Sequence, residues 1–112
     1  MIDKVLADAI MDASKKWFER SSLVKNYGVD KVSFRMKNLV VSITIKKGLQ
    51  KLTLIFQPTI AGADLCILFK TATGKVKFYD IWYRGEDGQI TPTAQDLSPY
   101  LMAFWRAFTH SR

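Results

Sequence analysis

The sequence has one cysteine, Cys66, and one histidine, His110. A single cysteine cannot close a disulfide within the chain, and a chain without a disulfide framework fits a reducing compartment. One Cys and one His also fall short of the clustered ligands a zinc site needs. Long apolar runs are missing: the longest span only a few residues, far below the roughly 20 that a membrane-crossing helix requires. The first residues carry Asp3, Asp8 and Asp12 on an amphipathic pattern, unlike the basic and apolar regions of a signal or transit peptide. Repeats with a period of their own and low-complexity segments are absent. The expectation is a cytoplasmic protein with no membrane contact.

Catalytic signatures are missing too. A Cys66–His110 nucleophile pair would join a mid-strand residue to a terminal helix, and a packed thiol is the plainer reading. Asp80 is the one polar residue in the apolar register of its segment; a buried carboxylate there would titrate high and serve as acid or base, whereas an edge position or a salt bridge would leave it inert. Asp64, Glu86 and Asp87 follow no spacing that would make them its partners. Thr73-Gly74-Lys75 resembles the end of a phosphate loop, yet lacks the upstream glycines and the following helix. Glu86-Asp87-Gly88 is too short for a calcium loop. No residue is assigned to catalysis, to a cofactor or to a metal, and the expectation is a protein that is not an enzyme.

What is present is positive charge in a strand-forming context. The chain has 112 residues, enough for one domain spanning 1–112, and a net charge of +7. Residues 21–84 hold eleven of the seventeen cations against three acids, Asp30, Asp64 and Asp80. Within them the stretch from Lys31 to Gln57 carries Lys31, Arg35, Lys37, Lys46, Lys47 and Lys51 and no acid.

Side chains alternate along a strand, so the correct pairing separates apolar from polar positions. A two-residue turn at Lys47-Gly48 does so. It sets Ile45 opposite Gln50, Ile43 opposite Leu52, Val41 opposite Leu54 and Leu39 opposite Phe56. On the other face Lys46 meets Leu49, Thr44 meets Lys51, Ser42 meets Thr53 and Val40 meets Ile55. A turn at Lys37-Asn38 adds Val32, Phe34 and Met36 to the apolar face, opposite Ile43, Val41 and Leu39. A further hairpin runs from Ala63 to Lys70 and from Lys75 to Arg84 around Thr73-Gly74. It pairs Phe69 with Phe78, Ile67 with Asp80 and Leu65 with Trp82. Lys70 then meets Lys77, Leu68 meets Tyr79, Cys66 meets Ile81 and Asp64 meets Tyr83. Pro58 ends the third strand, Thr59-Ile60-Ala61-Gly62 reads as a loop, and Gly85-Glu86-Asp87-Gly88 as a turn.

Helices flank the strands. Ile2, Val5, Leu6, Ala9, Ile10, Ala13 and Trp17 recur at helical spacing from Asp3, a candidate cap, to about Arg20. Leu23 to Asp30 reads as a connection. At the other end Ser98-Pro99 offers a cap followed by proline at the first helical position, with Leu101, Phe104, Trp105 and Phe108 as a stripe; Thr91-Pro92 and Asp96 are alternative starts.

The fold expected is α+β: an antiparallel meander of about five strands with an N-terminal and a C-terminal helix on one face. The opposite face would carry Arg35, Lys37, Lys46, Lys47, Lys51, Lys70 and Lys77 beside Val40, Ile55, Leu68, Tyr79, Ile81 and Tyr83. A face that is part cationic and part aromatic marks an interaction site. Three functions fit it. The first is a non-catalytic protein-association module, either a homodimer or an accessory or inhibitor-type binder whose cations select an acidic protein. The second is nucleic-acid binding, with the Lys46-Lys47 hairpin and tyrosines engaging phosphates and bases. The third is a small-ligand pocket among Trp17, Trp82, Trp105 and Phe104.

Overall fold

A computed structural model describes residues 4–58, 64–83 and 93–110. The chain runs α1 (Lys4–Arg20), α2 (Ser22–Tyr27), β1 (Lys31–Lys37), β2 (Val40–Lys47), β3 (Gln50–Pro58), β4 (Leu65–Thr71), β5 (Val76–Trp82) and α3 (Ala94–Thr109). The strands form one antiparallel sheet in the order β1-β2-β3-β4-β5. The meander with two flanking helices is the α+β architecture expected from the pattern. No helix among the described residues is long and apolar enough to cross a membrane.

The pairing differs from expectation by two residues in both N-terminal hairpins. Ile43 faces Leu54 and Phe34 rather than Leu52 and Val32, and the loops are Asn38-Leu39 and Gly48-Leu49. Asn38 and Leu39 both take positive φ, 52° and 64°, as a tight primed turn requires. Gly48 supplies the positive φ, 60°, at the first position of its loop, where a Cβ would be strained. A shift of two preserves the faces, because the side-chain period is two. Leu49 therefore moves from the sheet face to a fully exposed turn tip. In the last hairpin the pairs from Phe69–Phe78 to Cys66–Ile81 stand as expected. A bulge between Phe69 and Lys70 then sets Val76, not Lys77, opposite Lys70.

The odd-numbered side chains of β2 and β4 and the even-numbered ones of β3 face the helices. Val41, Ile43, Ile45, Leu54, Phe56, Leu65 and Ile67 have essentially no exposed surface. Removing each from water contributes about 1.5–3 kcal/mol. Leu97, Leu101, Phe104, Trp105 and Phe108 of α3 close the core from above with Leu6, Ala7, Ile10, Ala13 and Phe18 of α1. The α1 stripe is rotated from the expected one: Val5 is exposed and Trp17 half-buried, while Ala7, Ser14 and Phe18 point inward. Ile2 and the Asp3 cap lie outside the described residues, as do the 59–62 and 85–88 loops and the Thr91-Pro92 start.

Two helical boundaries also depart from the sequence reading. The segment read as a connection holds α2, capped by Ser21, whose hydroxyl accepts from the Val24 N–H, and ended by Gly28 in the left-handed region. The last helix begins at Ala94, and its cap, Thr93, lies five residues before Ser98. Thr93 and Asp96 form a reciprocal capping box, with Asp96 N–H donating to Thr93 Oγ1 at 3.2 Å and Thr93 N–H to Asp96 Oδ2 at 2.8 Å. Pro99 thus sits inside the helix, where it removes one backbone donor within its first turns.

Candidate interaction face

The helices α1, α2 and α3 all pack on one side of the sheet, and among the described residues no helix lies on the other. Register and alternation place its side chains in transverse rows. The first row is Lys31, Lys46 and Lys51, each directly opposite the next. The second is Ser33, Thr44, Thr53 and Lys70, with the Thr44 and Thr53 hydroxyls 3.0 Å apart. The third is Arg35, Ser42, Ile55, Leu68 and Tyr79. The fourth contains Lys37 beside Val40 and, farther across, Gln57, Cys66 and Ile81.

The face is therefore divided along a diagonal. Cations occupy the β1 side and the Lys31–Lys46–Lys51 end. Apolar and aromatic groups occupy the β3–β5 side, and short hydroxyl side chains lie between. Strands sit about 4.8 Å apart, so the three lysines span roughly 10 Å. Like charges directly opposite each other destabilise a sheet. The exposed ion pair Lys16–Asp12 on α1, at 3.0 Å, does not touch this face.

The apolar half has its own depth. Cys66 and Leu68 are buried, at 4% and 5% exposure, and Ile55, Gln57, Tyr79 and Ile81 stand beside them on the adjoining strands. Tyr79 and Tyr83 remain exposed, at 62% and 69%. Hydrogen bonding to the Cys66 thiol, reinforced by the charge of that group, raises the Tyr79 hydroxyl above the ordinary tyrosine value.

Lys31 was missing from the expected cationic set, although the 31-33-35-37 alternation in the sequence would have included it. Two members of that set are used elsewhere. Lys47 lies on the helix side: its Nζ donates to the Tyr27 carbonyl at 3.0 Å and sits 4.1 Å from the Tyr27 ring centroid, tying α2 to the hairpin. The same tip is held by Asp30, which accepts from the Gly48 N–H at 2.7 Å. Lys77, on the bulged edge, borders a shallow recess with Leu52, Ala107 and His110. Arg35, Lys37, Lys46, Lys51 and Lys70 share the open face with Val40, Ile55, Leu68, Tyr79 and Ile81.

The candidate catalytic groups are not brought together. Cys66 lies on the open face and His110 at the end of α3, on the other side of the sheet. Asp80 is exposed on the edge strand β5, where its carboxylate accepts from the Ile81 N–H at 2.8 Å and the Tyr100 hydroxyl at 3.3 Å. This is the edge position weighed for it, not a buried acid. Of the aromatic groups expected around a ligand pocket, Trp82 is partly buried against the core. Phe104 and Trp105 are packed in the core, and Trp17 lines an open recess of about 380 Å³ with Arg20, Leu23 and Met102. Comparisons with protein-family models, curated proteins and solved structures find no match for this chain.

Proposed function

We propose that the protein is a non-catalytic association module whose helix-free sheet face docks an acidic partner protein. The observation that carries this reading is the row of Lys31, Lys46 and Lys51 beside an apolar half built on Ile55, Leu68, Tyr79 and Ile81. Three aligned lysines cost the isolated fold stability, and a carboxylate-bearing surface would relieve that cost on binding. The apolar and tyrosine half supplies the area that electrostatics alone lacks. A second copy fits less well. The cations of one face would meet those of the other, and Asp64, immediately before β4, is the one carboxylate in line with these positions among the described residues.

The lysine row also favours a second reading, a nucleic-acid strand whose phosphates lie across it while Tyr79 or Tyr83 stacks on bases. Light scattering at low and high salt, with an acidic apolar peptide, a single strand or a duplex as probe, separates these readings. A monomer that binds the peptide and keeps part of that binding at high salt supports the acidic-protein reading. A dimer at every salt concentration overturns it in favour of self-association. Binding of nucleic acid alone, lost at high salt, overturns it in favour of phosphate neutralisation.

A further inference from the structure

The two edges of the sheet are built differently. β5 carries the devices that keep an edge from pairing: the bulge opposite Lys70, and Asp80 on the helix-side register, held by Tyr100. β1 has neither. It runs seven residues, Lys-Val-Ser-Phe-Arg-Met-Lys, without proline or glycine, in unbroken register with β2. Among the described residues no strand lies beyond it. The alternation of an antiparallel ladder leaves every second residue of such an edge with its N–H and C=O directed outward.

The side chains of β1 are also incompletely used. Val32, Phe34 and Met36 are only half-buried, while their partners Ile45, Ile43 and Val41 on β2 have no exposed surface. Phe34 touches Phe18 at 5.8 Å between centroids, with Lys15 Nζ 5.9 Å from its ring, so the apolar layer stops at its outer side. On the open face the same strand presents Lys31, Ser33, Arg35 and Lys37.

We propose that β1 accepts an extended acidic segment of the partner as a sixth strand. This rests on the acidic-partner reading above and specifies how that partner is gripped. The added strand would place acids opposite Lys31, Arg35 and Lys37 and apolar residues beside Val32, Phe34 and Met36, alternating acidic and apolar along its length. A second copy of β1 does not meet this description. Paired antiparallel about Phe34, two such edges would set Lys31 against Lys37 twice.

The probe is a capped peptide, Glu-Val-Glu-Val-Ser-Val-Glu, compared with a scrambled peptide of the same composition and with the same peptide N-methylated at alternate amides. Binding is followed by isotope-edited NMR shifts and by hydrogen exchange of the β1 amides in the full chain. The expected result is slowed exchange along β1, with affinity at least tenfold lower for the N-methylated and scrambled peptides. The double variant R35E/K37E, at two exposed positions, should lose binding by at least tenfold with its fold intact. Equal binding of all three peptides, with shifts at Lys46, Lys51 and Lys70, would overturn strand addition and leave the acidic-partner reading standing. Binding by none of them would overturn both.

Discussion

Lys46 stands directly opposite Lys51 across the β2–β3 ladder, on the side of the sheet away from the three described helices. Lys31 continues the row beyond Lys46, and neither member of the pair forms an ion pair with a described residue. Replacing Lys51 with Glu should therefore stabilise the fold, by a few tenths to about 1 kcal/mol at low salt. The gain should shrink as salt screens it. Urea unfolding at two salt concentrations measures both effects. A variant no more stable than the parent would show that the row costs the fold nothing.

The same row and the apolar half should separate under substitution. R35A/K46A/K51A should keep its fold and weaken binding of an acidic apolar peptide about tenfold or more, with a shallower salt dependence. Y79A/I81A should also weaken binding, with the salt dependence unchanged. Calorimetric titration of the three proteins at two salt concentrations reads the difference. Identical salt profiles would contradict the division of the face into two halves.

Ser14 is buried on α1, and its hydroxyl has no hydrogen-bond partner in the structure. A desolvated hydroxyl without a partner is a cost, and alanine is the better helix former. Ser14→Ala should raise stability by about 1 kcal/mol. A loss on thermal or chemical unfolding would mean that the hydroxyl is satisfied in solution.

Tyr100 links α3 to the β5 edge. Burial, then the charge of Asp80 and the hydrogen bond to it, raise its phenol above the ordinary value of 10.0. Because the folded chain favours the protonated phenol, the contribution is complete below the unfolded value and disappears as pH rises through the higher folded one. Tyr100→Phe should lose no more than about 1 kcal/mol at neutral pH. It should also flatten the alkaline fall in stability relative to the parent. Denaturation curves from about pH 8 to 11 test the sign, which would be reversed if Tyr100 ionised more easily in the folded chain.

The start of α3 is open to a cap test. Thr93→Ala should cost about 0.5–2 kcal/mol, whereas Ser98→Ala, inside the helix, should cost little. The opposite ranking would move the helix start back to Ser98.

The faces of the sheet were legible because their pattern has period two. Val41, Ile43 and Ile45 point to the core whether the turn is Lys47-Gly48 or Gly48-Leu49. The pairing partners were not legible, since a two-residue slip leaves the pattern unchanged and places a glycine in either loop. Leu39 at positive φ is the residue that local propensity argues against; it is also packed against the core margin. The lysine row depended on that register, and in the expected pairing Lys46 faced Leu49. A hairpin-tip lysine such as Lys47 looks solvated in sequence, and α2, six residues long, gives it Tyr27 as a partner on the helix side. Thr93 and Asp96 were readable as a capping box, but Ser98-Pro99 offered a second start that imitates one.

The most direct test of the account is an NMR titration of the labelled full chain at about 0.15 M salt. The titrants are an acidic apolar peptide and a single-stranded oligonucleotide of equal charge. The peptide should bind more tightly, with shifts confined to β1 and to the open-face residues from Lys46 and Lys51 across to Leu68 and Tyr79. Tighter binding of the oligonucleotide, or shifts centred on α1 and α3, would contradict it.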